Sequence, residues 1–173
     1  MALLPIITVP DPRLLTASTP VEAVDDALRQ TLDDMLETMY AAPGIGLAAI
    51  QVGIAKRMLV MDVAREGEER DPLFIINPEV IWVSDDDQSY EEGCLSLPEH
   101  YAEVVRPAEI KIKYLTRDGA PAELHATGLK AICLQHEMDH LDGILFVDHI
   151  SALKRNMILR KLVKAKRLQE ANV

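Results

Sequence analysis

The stretch Ile110–Leu141, IKIKYLTRDGAPAELHATGLKAICLQHEMDHL, contains the change of pattern that decides the fold. At its start Ile110, Ile112 and Tyr114 alternate with Lys111 and Lys113, the period-two signature of a half-buried strand. Asp118-Gly119 is a hairpin turn signal, and Ala122–Ala126 is the return strand that it predicts. From Leu129 the period becomes helical and runs to Leu141. Ile132, Cys133, His136, Glu137 and His140 fall on one side, with Ala131, Leu134, Met138 and Leu141 on another. A helix apolar on nearly all sides must be buried among other elements.

Upstream of this stretch lie short β-rich runs at Met58–Val63, Leu73–Ile76, Val80–Val83 and Val104–Val105. Before them, Val24, Leu28, Leu32, Met35, Leu36 and Met39 repeat at helical spacing. Glu22, Asp25 and Asp26 stand near the start of that helix, where they suit its dipole, and Pro43-Gly44 stops it. Downstream, about Ala152–Gln169 favours another helix. One helix, then strands, then helices predicts an α+β fold rather than alternating βαβ units. Antiparallel strands would pack around a central buried helix, with a C-terminal helix following. With no repeat, linker or low-complexity segment, residues 1–173 read as one domain.

Gln135-His136-Glu137-Met138-Asp139-His140 carries the pattern H-E-x-x-H. Histidines four residues apart share a helical face, about 6 Å apart along the axis, and can grip one ion. The glutamate between them can act as general base toward water that the ion activates. Two core histidines with an incidental acid would be the bland alternative. It would leave three polar side chains inside a buried helix, each needing a partner. For a third ligand, the extended metzincin pattern is missing: Asp142-Gly143 follows at once, and the next histidine is His149. Cys133 lies about 10 Å along the axis from His140, too far for both to hold one ion; packing suits it better. Cys94, in the Gly- and Pro-flanked segment Glu91–Pro98, is the better candidate, with a small buried hydrophobe as its alternative. Three protein ligands leave a position for water, as in a catalytic site. Two imidazoles and a thiolate are zinc chemistry on their own.

Three motifs in order resemble those of the peptide deformylases, G-Φ-G-Φ-A-A-x-Q, E-G-C-x-S and Q-H-E-x-D-H. Here they read Gly44-Ile45-Gly46-Leu47-Ala48-Ala49-Ile50-Gln51, Glu92-Gly93-Cys94-Leu95-Ser96 and Gln135–His140. The similarity extends from Val9-Pro10-Asp11 into the tail. The resemblance implies removal of the formyl group from the N-terminal formyl-methionine of new proteins, releasing formate. It implies Cys94, His136 and His140 as ligands of one divalent metal ion, Fe(II) in the cell, with Ni, Co or Zn as substitutes. Glu137 would be the acid/base, and Gln51 and the Leu95 backbone N–H the oxyanion donors. Without the motif, Gln51 would read as a solvated loop amide. Gly44 and Gly46 would let the chain pass close to the bound peptide. Arg106 matches a position near the peptide's path, or is a surface charge. Ile45, Leu129 and Cys133 are candidates for the methionine pocket, although core packing explains the last two almost as well.

The net charge of −10 argues against non-specific nucleic-acid binding by the body. The charge is uneven: residues 151–173 carry seven basic side chains against one acidic, a net of +6. The other 150 residues carry 11 basic and 27 acidic side chains, a net of −16. A basic tail on an acidic body suggests RNA, and the resemblance points to the ribosome as its partner; a solvated helix is the alternative. Its basic residues fall all round the helix, which disfavours a membrane-surface role. No apolar run approaches the roughly 18–20 residues that span a bilayer. Met1–Pro10 does not read as a signal peptide, and two cysteines fit a reducing cytosol. A cytoplasmic monomer is the expectation. A general zinc endopeptidase would need a different third ligand, and an idle scaffold would have no need of Glu137 or Gln51.

Overall fold

The computed structural model describes residues 2–171. Its elements run α1 (Asp26–Ala41), β1 (Gly46–Ala48), β2 (Met58–Met61), β3 (Leu73–Val83), β4 (Asp87–Cys94), β5 (Leu97–Pro107), β6 (Glu109–Leu115), β7 (Pro121–Thr127), α2 (Gly128–Leu141) and α3 (Ala152–Ala171). β1, β2, β3, β6 and β7 form one antiparallel sheet in that order, and β4 and β5 form a separate antiparallel hairpin. The α+β class, the antiparallel pairing and the C-terminal helix are as expected.

Every residue of β2 is buried, because the sheet is covered on both faces. Leu59 and Met61 point to one face with Ile75, Ile110 and Ile112, where Ala131, Leu134 and Leu141 of α2 pack. Met58 and Val60 point to the other, against Leu28, Leu32, Met35 and Met39 of α1. Leu32, Met35 and Met39 have no exposed surface. Each such side chain contributes about 1.5–3 kcal/mol of burial, so α1 is held by packing more than by propensity. Asp25 is the N-cap of α1: its carboxylate accepts from Leu28 N–H at 2.8 Å. Val24 therefore lies just outside the helix that its spacing suggested.

The runs Leu73–Ile76 and Val80–Val83 are one strand, not two. Between them Asn77 takes a left-handed conformation (φ 52°), Pro78 supplies no N–H, and the register against β6 shifts. β4 was not foreseen, and of β5 only Val104–Val105 was. The segment around Cys94, expected as a loop, is the tip of this hairpin: Cys94 pairs with Leu97 across Leu95-Ser96. A third core group fixes the hairpin to the rest, with Leu97 and Val104 packed among Val9, Leu14, Phe146 and Val147. α3 joins the same group by a narrow stripe, with Leu162 buried and Ile158 and Leu159 partly so. At the end of α2 the chain must turn sharply. Gly143 does this with φ 75°, and a Cβ there would lie 2.6 Å from the Leu15 carbonyl oxygen.

Candidate metal centre and active site

α2 and the β4–β5 tip meet at three side chains. Ligating atoms of Cys94, His136 and His140 all lie within 4.8 Å of one another. Cys94 Sγ is 3.3 Å from His140 Nε2. His136 Nδ1 is 2.9 Å from Glu92 Oε1; a carboxylate only accepts, so Nδ1 carries a hydrogen and Nε2 is the nitrogen left to face an ion. A cysteine sulfur and two imidazoles, converging with one imidazole already oriented from behind, fit a divalent transition-metal ion with ligand bonds of roughly 2.0–2.3 Å.

Glu137 lies beside the trio. Its Oε1 is 3.8 Å from His136 Nε2 and 4.0 Å from His140 Nε2. Its Oε2 is buried without a hydrogen-bond partner among the described residues. Burial pushes this carboxyl up to about 7, against the pull of His136. Gly46 makes the position possible, since a Cβ there would stand 2.8 Å from both Glu137 Cγ and Cys133 Sγ. β1 thus passes against the helix itself, a closer constraint than the approach to a ligand that its sequence suggested.

Gln51 is 1% exposed, not a solvated loop amide. Ala48 N–H donates to its Oε1 at 2.9 Å, which fixes the amide's orientation. Its Nε2 donates to Ser96 Oγ at 3.1 Å and reaches Cys94 Sγ at 3.6 Å. An N–H source is therefore held at the edge of the trio. Leu95 sits beside it in the turn of the hairpin.

A cleft of about 580 Å³ opens onto these groups. Gly44, Ile45 and Gly46 form part of one wall, and Leu129 and Cys133 part of another. Ile45 is 42% exposed, whereas Cys133 belongs to the core beneath and its Sγ–H reaches Ile45 O at 3.5 Å. Burial pushes the Cys133 thiol well above its ordinary value, so it stays protonated.

Arg106 does not line this cleft. Its guanidinium is 5% exposed and grips Glu92 through Nε (2.7 Å) and Nη2 (3.0 Å), with Nη1 on Asp139 at 2.8 Å. Neither the peptide-path nor the surface-charge reading survives. Burial alone would raise the Glu92 carboxyl, but His136 and Arg106 more than offset this and hold it below the usual range. Asp139 Oδ2 also meets His149 Nε2 at 2.8 Å. A chain of hydrogen bonds thus backs the trio, His136–Glu92–Arg106–Asp139–His149, buried at Glu92 and Arg106 and reaching the surface at His149. Glu92 and Asp139 had not been assigned any role, although both are fixed letters of the quoted motifs.

The polypeptide deformylase family model matches residues 3–156. The chain belongs to the polypeptide deformylase family. It is 60% identical over 164 residues to the peptide deformylase of Phenylobacterium zucineum, covering 95% of this chain and 97% of that one. To the peptide deformylase of Agrobacterium fabrum it is 58% identical over 167 residues, covering 96% and 98%. Among solved structures it is similar to the peptide deformylase of Ehrlichia chaffeensis in complex with actinonin. That match has a TM-score of 0.92 and 45% identity, with 96% and 99% of the two chains covered. The family is one of hydrolytic enzymes, and the convergent trio fits a member that uses a metal. Among the described residues no helix is long and apolar enough to cross a membrane.

Proposed function

We propose that this deformylase-family chain performs metal-dependent hydrolysis of the N-formyl group from the formyl-methionine of nascent proteins, releasing formate. The observation that carries the reading is the convergence of Cys94, His136 and His140 beside a buried carboxyl with an unpartnered oxygen. Bound by these three side chains, a divalent ion supplies positive charge that polarises a carbonyl and acidifies water. Fe(II) is the proposed cellular ion, with Ni, Co or Zn able to replace it, since metal supply and geometry decide among ions that this donor set accepts.

The chain's own residues do the rest. Ile45, Leu129 and Cys133 offer the methionine side chain an apolar wall. Gln51 Nε2 and the Leu95 N–H meet the formyl oxygen as negative charge grows on it. Glu137 takes the proton of the attacking water and delivers it to the amine nitrogen as the C–N bond breaks. A carboxyl near 7 can accept and release a proton at neutral pH, which suits both halves of that task. Arg106 and Glu92 act from behind, by holding His136 in the tautomer that presents Nε2.

Substrate choice is the test. A formyl carbon bears only hydrogen, and a tight site beside the trio excludes a methyl group by steric clash. Formate should be released from a formyl-methionyl peptide, and an acetyl-methionyl peptide should be nearly inert. Comparable rates on both would replace this reading with a broader amidase.

The proposed setting is the cytoplasm, where a monomer meets the substrate at the ribosome through the basic α3. Arg160, Lys164 and Arg167 line one open depression along that helix, away from the cleft. Attraction of this face to RNA phosphate should weaken steeply with salt. Reversing the three charges to Glu should abolish co-sedimentation with ribosomes and leave hydrolysis of a short formyl peptide intact. Unchanged co-sedimentation would return α3 to a solvated helix.

A further inference from the structure

The cleft and a second groove share one wall on the β4–β5 hairpin. Tyr101 of β5 is a wall of the cleft and also a wall of a second groove, of about 400 Å³, between β5 and α3. Its ring lies across Gly93, the residue opposite it in the β4–β5 register. Any Cβ on Gly93 would collide with that ring, so the missing side chain seats it, while 64% of Tyr101 remains exposed. The result is a low aromatic saddle between two depressions. Beyond it the groove is lined by the half-buried Ile158 and the half-exposed Met157, and the exposed Lys154 and Lys161 stand at its rim. Those lysines, with Ile158 between them, recur at helical spacing on one face of α3. Among the described residues neither forms an ion pair, and the one acid in the groove is Glu103. The cleft side of the saddle is the reverse in sign, lined by Glu91 and Glu99.

We infer that the downstream part of the peptide substrate crosses Tyr101 and lies in the groove between β5 and α3, where acidic side chains are favoured. The inference rests on the deformylase reading above. The wall that the two depressions share at Tyr101 and the charge of the rim select this occupant. Tyr101 is about 5 Å across the strand pair from Gly93, and Glu103 about 7 Å further along β5. An extended peptide advances about 3.3–3.6 Å per residue, so roughly its fourth and later residues reach the groove. The charge preference therefore inverts along the substrate: acidic residues next to the methionine meet Glu91 and Glu99, and acidic residues from about the fifth position onward meet Lys154 and Lys161. These contacts are the same in the ground state and the transition state, so they act on KM and leave kcat unchanged.

The test uses metal-loaded full-length enzyme and three formyl-methionyl peptides: a tripeptide, and two octapeptides with either Glu or Lys at positions five and six. Exposed ion pairs are individually weak, so the Glu octapeptide should exceed the Lys octapeptide about three- to tenfold in kcat/KM at low salt, through KM. The difference should vanish at high salt. Lys154→Glu/Lys161→Glu should reverse the preference and leave the tripeptide's constants unchanged. Equal constants for both octapeptides with wild-type enzyme, while the tripeptide is cleaved, would overturn the inference alone. Failure to cleave even the tripeptide would overturn the functional reading beneath it. A wild-type dimer that the double variant converts to monomer would assign the groove to a second copy and also overturn it.

Discussion

Glu137→Gln should lower turnover of a formyl-methionyl peptide by roughly 10²–10⁴, with metal content and fold preserved. The amide has nearly the shape of the carboxyl and fits beside Gly46, but it cannot take a proton from water. Little loss of stability is expected, for a physical reason. Burial raises this carboxyl to about 7, so the site already tolerates the neutral form near neutral pH. The variant should show the loss in kcat more than in KM, since the proton moves only as the bond is made and broken. Near-normal turnover in a metal-loaded variant would remove Glu137 from the proton-transfer role.

Cys94→Ser should abolish tight metal binding, and activity with it, because a neutral hydroxyl is a poor ligand for a borderline or soft ion. Cys133→Ser is the matched control. Cys133 is 5% exposed and its thiol stays protonated, so it supplies packing and a weak hydrogen bond to Ile45 O rather than a ligand. A hydroxyl can keep that bond, and the change should cost about 1–3 kcal/mol of stability with the metal retained. Metal analysis of both purified variants decides the matter: equal loss would mean that the third ligand has been misassigned.

The parts of the fold legible in the sequence are those whose hydropathy follows one clean period. β6, its hairpin turn and α2 read directly, since Ile110, Ile112 and the apolar face of α2 pack on one another. β4 did not, because a two-stranded hairpin with much of its surface in water carries no alternation to find. Its one fully buried side chain before Cys94 is Glu92, kept inside by ion pairing, an interaction hydropathy cannot register. Arg106 failed for the same reason. Whether an arginine is a surface charge or a buried clamp depends on partners 14 and 33 residues away in the chain. The trio was easier. Four-residue spacing set His136 and His140 on one face, and Cys94 stood out by ligand chemistry and motif, although its place at a hairpin tip did not.

A metal held by Cys94, His136 and His140 and a proton carried by Glu137 together release formate in the proposed reaction. The most direct measurement is formate produced from a formyl-methionyl peptide per equivalent of bound metal, on wild-type, Glu137→Gln and Cys94→Ser protein prepared side by side. Wild type should hold about one metal per chain and release formate rapidly. Glu137→Gln should hold the same metal with release cut by at least roughly 10², and Cys94→Ser should lose both. Formate released at wild-type rates by Cys94→Ser protein free of metal would contradict this reaction.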